Sequence, residues 1–481
     1  MALPTRLAEQ SPLAGLDRRN LGPAQVFAQS VSGAAPAAGM AVIPAIVAAS
    51  AGPATVWSLA AATGLALVVA GCIGRFTKRM AAAGSLYSLT AKGLGPGPAF
   101  LCGTGLMIGY TLLGMGALTG AAMQLSVLAA RLGVPGALSP VAVAGAVVLL
   151  AGLVAACTVR GVRLSAAVVL LVEAVSIGLM LVVFGVLLAR HGIGLDTRQL
   201  APTGVGLGGV VAGVLPALGA FIGFEAAAAM GVEARRPFRS ITRAVRWTAA
   251  LAGVLVLLAA YTQVAGFGDV PGGLAAHPEA VRALADAAGV PWLPALLDAG
   301  LATSFLACSV ATTTALTRLL FSMGREGVLP ARLGATHRRF RTPHRAIAVT
   351  LPVLAAGPVG LLLAGVSPEH ALVPLLTTAA LGYLLAYLLV CLAAPVFLHR
   401  IGELTGIAVL ATSVIVPVLV AVLGVFVATA PLAVATLVAG GVLALAGARY
   451  LWLRVRRPDR VAAIGLYDET SAADLLGGRR R

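Results

Sequence analysis

The sequence is short of charge. Of its 481 residues, 11% are Asp, Glu, Lys or Arg, while 59% are hydrophobic and the mean hydropathy is +0.98. Ordinary soluble domains carry about 25% charged residues, so a soluble globular fold is excluded. Apolar runs of about 20 residues recur along the chain and predict an all-α polytopic membrane protein. Acid is scarcer still, 17 residues against 34 basic ones, a formal charge of +17. That excess does not read as a nucleic-acid surface. All of the Lys and Arg except Arg131, Arg190, Arg198 and Arg282 fall at the two ends and on alternate loops. This positive-inside distribution places both termini in the cytoplasm of a multi-pass protein of the cell membrane. It makes the lipid bilayer, not nucleic acid, the partner of the charge.

Other shortages narrow the function. The five cysteines (Cys72, Cys102, Cys157, Cys308, Cys391) are scattered through apolar segments with no CxxC pair, which predicts packing residues and neither metal ligands nor disulfides. The six histidines (His191, His277, His337, His344, His370, His399) fall in loops or at helix ends, which excludes a histidine relay in mid-membrane. No HExxH, GxSxG or pair of deep aspartates appears, so neither an enzyme centre nor a cofactor or metal is expected. The loop RFTKRM has no acid and the connection after helix 6 is short, both unlike the major facilitator architecture. Residues 1–24 carry proline and charge ahead of any apolar run; they read as a polar cytoplasmic lead and not as a cleavable signal peptide.

What is present divides into twelve spans. Residues 25–192 hold helices 1–5, 207–398 helices 6–10, 404–453 helices 11 and 12, and 454–481 a polar tail. Two of the twelve are interrupted. In helix 1, expected over Gln25–Ser50, the stretch SVSGAAPAAGM carries Gly33 and then Pro36, which cannot donate a helical backbone bond but suits the first position of a new half-helix. The amides of Ala37 and Ala38 would then face the gap at the positive end of a helix dipole. In helix 6, LPALGAFIGFEAAAAMGVEARRPFRSITRA sets Gly219 and Gly223 four apart and follows them with Glu225. Glycine costs a helix ~1 kcal/mol relative to alanine, and a mid-bilayer carboxylate ~2.5–3.5 kcal/mol. Both are tolerated together where a helix is broken beside a polar cavity. The breaks sit five helices apart, an odd spacing, so the broken helices run in opposite directions, the signature of an inverted 5+5 repeat with a solute site on its pseudo-twofold axis.

Only one other acid lies deep. Glu173 of helix 5 shares a face with Ser176 and either carries a proton or clamps helices. Tyr110 of helix 3 needs a partner for its hydroxyl. Helix 3 also bears Gly105, Gly109, Gly116 and Gly120, a small-residue pattern for close helix packing. The hydroxyls of Thr312, Thr313 and Thr314 in helix 8 either line a cavity or bond back to their own helix.

Several stretches together resemble bacterial permeases of the amino acid–polyamine–organocation superfamily. AFIGFEAAAAMGVEARRPFRSITRA is similar to that family's broken helix 6, and ALTRLLFSMGREGVLPARLGATHRRFRTPHRA to its 8–9 loop. GSLYSLTAKGLGPGPAF and RGVRLSA are similar to its approaches to helices 3 and 5. The resemblance implies a leucine-transporter-like fold with helices 11 and 12 appended. It also implies secondary active transport of an amino acid or related small amine by alternating access, with H+ as the candidate coupling ion. Carried over to this chain, the solute would meet Ser32, Gly33, Ala34 and Ala35 of helix 1 and Phe221, Gly223 and Phe224 of helix 6. Tyr110 and Thr312 would add contacts, Phe221 and Phe224 would gate, and Glu225 and Glu173 are the proton-coupling candidates. Two departures stand out. SGAAP replaces the Gly-Ser/Thr-Gly triplet that cradles an α-carboxylate in many members, and helix 5 has no deep lysine. A polyamine or ethanolamine-like cargo, or a solute sensor that moves nothing, are the alternatives; the oligomeric state is open.

Overall fold

A computed structural model describes residues 11–191, 206–268, 270–277, 279–429 and 434–468. The outer parts of the expected lead and tail, and the connection between the two groups of five helices, lie outside these residues. Among the described residues every regular element is helical, with two isolated bridges besides. Helix 1 comes in two pieces, 1a (Pro23–Ala34) and 1b (Pro36–Ala51), followed by helix 2 (Thr55–Thr77). A short helix, Leu86–Leu94, leads to helices 3 (Pro96–Arg131), 4 (Pro140–Val159) and 5 (Val162–His191). Helix 6 runs from Leu207 to Ala217 and continues as 3-10 turns over Leu218–Phe221 and Phe224–Met230. Helix 7 (Pro237–Gly266), a surface helix (Ala280–Ala287), and helices 8 (Leu293–Arg325), 9 (His344–Leu363), 10 (Pro368–Arg400), 11 (Gly406–Thr429) and 12 (Val434–Arg456) complete the chain.

Among the described residues, eleven helical runs are apolar and long enough to cross a membrane, and the first of them, Pro23–Thr77, has 55 residues. At 1.5 Å per residue that is about 82 Å, more than twice the ~30 Å hydrocarbon core. The turn at Gly52, φ +54°, folds it into helices 1 and 2, so twelve crossings result. Several helices run past the expected membrane edge. Helix 7 starts at Pro237, two turns before the expected span at Val245, because proline suits the first helical position and the arginines that follow have high helix propensity in water.

The helix pairings repeat under a shift of five. Helix 3 packs along helix 10 as helix 8 packs along helix 5, and helices 2 and 7, 3 and 8, and 4 and 9 each meet. The helix 3 glycines serve this packing: a β-carbon on Gly382 of helix 10 would stand 2.3 Å from the Gly105 carbonyl oxygen. Helices 11 and 12 lie mostly exposed at the periphery. On the face opposite the chain ends, buried Asp298 accepts from Arg131 Nε at 2.7 Å and from Arg282 Nη2 at 3.1 Å, tying helices 3 and 8 to the surface helix. Two of the four basic residues expected on that face are therefore structural.

Candidate functional site

Both interruptions form, and they meet. Ala35 stands in the left-handed region (φ +46°), and its amide turns back to the Ser32 carbonyl at 3.2 Å. Gly39 is the first residue of helix 1b bonded to the turn before it, through Ala35 O at 3.0 Å. The amides of Ala37 and Ala38 thus precede any intrahelical partner. In helix 6, Ile222 is extended and Gly223 has φ +92°. Here the backbones touch: a β-carbon on Gly33 would lie 2.4 Å from Gly223 O, and one on Gly223 2.2 Å from Gly33 O. Ser30 Oγ donates to Phe224 O across the same junction.

Beside the junction lies a cavity of about 580 Å3 whose lining reaches two exposed residues, Ser50 at the far end of helix 1b and Thr377 of helix 10. Its wall is apolar, with Val69, Leu113, Phe305 and Leu384 facing the two breaks. Of the residues expected to meet solute, Gly33, Ala34, Ala35, Phe221 and Phe224 line it. Ser32, Gly223, Tyr110 and Thr312 do not, and the side chains of Ser32, Tyr110 and Thr312 are fully buried. Thr312 spends its hydroxyl on its own helix, donating to Cys308 O at 2.8 Å, the second of the two arrangements open to it.

Tyr110 holds Glu225 instead. Its hydroxyl donates to Glu225 Oε1 at 2.9 Å and lies 3.2 Å from Ser85 Oγ. The other carboxylate oxygen accepts from Tyr387 of helix 10, whose own oxygen accepts from the Gly223 amide at 3.3 Å. Tyr387 lines the cavity and Glu225, fully buried, stands behind it. Reading the sequence alone missed Tyr387. Tyr383 and Tyr387, four apart on an apolar helix in a chain with only seven tyrosines, were the available signal. Glu173 has the opposite setting. It is 2% exposed, approaches Ser32 at the helix 1 break, and neither of its carboxylate oxygens nor the Ser32 hydroxyl has a partner among the described residues. Ser176, on its face, donates to Gly300 O of helix 8 at 2.8 Å.

Below the junction the molecule is shut. Glu233 and Arg318 form a buried two-pronged pair, at 2.7 Å to Nε and 2.8 Å to Nη2. The lead runs beneath it, with Leu21 N bonded to Glu233 O at 2.9 Å and Arg19 Nη1 to Gly231 O at 3.2 Å. The tail closes over the lead: the Asp468 carboxylate, fully buried, takes Arg18 at 3.0 Å, Arg19 at 2.8 Å and Ser11 Oγ at 2.8 Å. Just upstream, the amides of Gly465 and Leu466 donate to Glu326 Oε1 at 2.9 Å each, and the Tyr87 hydroxyl donates to Oε2. Burial pushes the Glu326 carboxyl up to about 7, against these donors and Lys92, which pull it down.

The sequence profile of the family described as "Amino acid permease" matches residues 21–453. The chain belongs to that family. An uncharacterised transporter of Mycobacterium tuberculosis is 32% identical over 302 residues, 61% of this chain and 64% of the relative, so the match spans just under two thirds of that relative's length. A methylthioribose transporter of Bacillus subtilis is 28% identical, covering 67% of this chain and 70% of the relative. Cationic amino acid transporter 4 of Homo sapiens is 28% identical, covering 70% and 53%. Among solved structures, a manganese transporter of Eremococcus coleocola aligns with a TM-score of 0.52 at 13% identity, over 91% of this chain and 95% of that one. At that identity the likeness is one of fold, and it agrees with the leucine-transporter-like arrangement expected. Among the described residues no group of three His, Cys, Asp or Glu gathers as metal ligands do.

Proposed function

We propose that this permease is a secondary active transporter of the cell membrane, with both chain ends in the cytoplasm. It carries a small amine-bearing solute with an apolar body, of which a neutral amino acid is the type, and a proton is the coupling ion. The observation that carries this reading is the meeting of two helix breaks at the floor of a one-sided cavity. Free peptide groups there can hold a carboxylate or an ammonium with no dedicated side chain. The wall narrows the solute class. No Asp or Glu lines the cavity, so a polyamine would bring several charges to a surface with nothing to pair them, whereas an apolar side chain meets Leu113, Phe221 and Phe305.

The two deep acids divide the work. Glu225 is held by two phenols immediately behind Tyr387 and so senses any shift of the helix 6 break. Glu173 has no hydrogen-bond partner among the described residues, and an unpaired charge is costly in an apolar interior; a proton taken up or released there as helix 1 moves links ion binding to the conformational change. Transport requires the opposite face to open, and the Glu233–Arg318 pair, the lead and the tail are what part. To test the reading, free neutral amino acids and polyamines are screened by thermal shift on purified protein, and those that bind are followed by counterflow in proteoliposomes. Neutral amino acids are expected to stabilise and exchange. A stabilising solute that never exchanges makes the protein a sensor. If Glu173→Gln and Glu225→Gln both keep the wild-type pH dependence of uptake, the coupling role is lost.

A further inference from the structure

A second cavity, of about 710 Å3, is a groove between the start of helix 1a, with Pro23 and Phe27, and the first turns of helix 7. Arg236, Arg239 and Arg243 fall on one face of helix 7, three and four apart, and Trp247 and Leu251 continue that face deeper into the apolar part of the helix. The three guanidinium groups are exposed, and none has a hydrogen bond or ion pair among the described residues. Among the described residues no acid pairs with them: Glu233 is committed to Arg318, Asp17 holds Asn20 and neighbours Arg341, and neither helix has an acid in its first turn. Trp247 is 64% exposed one turn below the last arginine of the set.

Charge above, an indole at the boundary and an apolar floor beneath match an amphiphile, with its anionic part uppermost. We propose that this groove is a binding site for one anionic membrane phospholipid. Its phosphate bridges Arg239 and Arg243, by the planar donor geometry that suits guanidinium to phosphate. An acyl chain lies along Trp247 and Leu251 at the depth where aromatic side chains seat in the interface. A soluble anion would use the arginines but leave the floor bare. Occupied, the groove joins the first turns of helix 1a to helix 7. Helix 1a runs straight on to the break at Gly33, so a bound lipid braces the sealed end of the molecule.

The test uses the full chain in a neutral detergent. Phosphatidylglycerol and phosphatidylcholine are compared by native mass spectrometry and thermal shift, with inorganic phosphate as a third arm. Phosphatidylglycerol is expected to be retained and to raise Tm, and phosphatidylcholine to do neither. R239Q/R243Q is expected to weaken retention at least tenfold, while R454Q/R456Q, which removes the same charge from the end of helix 12, keeps it. W247A tests the floor, and R239K/R243K supplies a well-charged variant should the glutamine pair fold poorly. Equal retention by R239Q/R243Q, or no loss in either W247A or R239K/R243K, overturns the site. Equal stabilisation by phosphate alone makes it a free-anion site and overturns the lipid. None of these readouts depends on the transported solute, so failure here leaves the transport reading standing.

Discussion

Adding a methyl group at Gly33 would press on the backbone carbonyl of Gly223, which no rotamer change can relieve. Overpacking of this kind costs ~1–3 kcal/mol, and at Gly223 the left-handed backbone adds ~1–2 kcal/mol for any side chain. Gly33→Ala and Gly223→Ala are each expected to lower Tm and to cut counterflow at least tenfold. Gly64→Ala in helix 2, where a β-carbon meets nothing within 4 Å, should leave both unchanged. Wild-type exchange in Gly33→Ala would mean that the breaks need not touch. These glycines and Pro36 were legible in the sequence, because a break has a local signature in residues that spoil a helix. The partners of Glu225 were not. Tyr387 lies 162 residues away, and no local pattern says which of two tyrosines one turn apart will reach an acid on another helix.

At the scale of single elements, the segment 463–468 behaves as a strap and Glu326 as its buckle. In the unfolded chain that carboxyl has its ordinary value of 4.5; in the fold, burial moves it to about 7, against the pull of the strap's own Gly465 and Leu466 amides. Between those values the folded form holds a proton that the unfolded chain has released. The contribution to folded stability is therefore complete below about 4.5 and is lost as pH rises through about 7. An environment-sensitive dye on Ala463→Cys should report a looser strap as pH rises from about 4.5 to about 7, with no further change above that, and Glu326→Gln should abolish that transition. Background labelling is small, since all five native cysteines are buried, as their scatter through apolar segments predicted. A pH response unchanged in Glu326→Gln would assign it elsewhere. Composition marked residues 454–481 as polar but carried no sign of the strap, because its partners come from the lead, the 2–3 loop and helix 8, all distant in sequence.

For the molecule as a whole, hydropathy made the spans legible, while the placement of arginine carries an expected direction for each crossing. They could not tell which end of the pathway stands open, a choice between two packings of one sequence that lie close in energy. The cavity opens at Ser50 and the opposite end is sealed. In intact cells a membrane-impermeant maleimide is therefore expected to label Ser50→Cys from outside. Arg338→Cys, exposed in the 8–9 loop, should label only after lysis; the reverse result would invert the topology. The seal also has an order in time. Synthesis delivers Arg18 and Arg19 before helix 1 and Asp468 after helix 12, so the two arginines wait through the insertion of all the described spans before their carboxylate arrives. A chain cut short before Gly465 can still thread all its helices into the bilayer, but it arrives there unlatched.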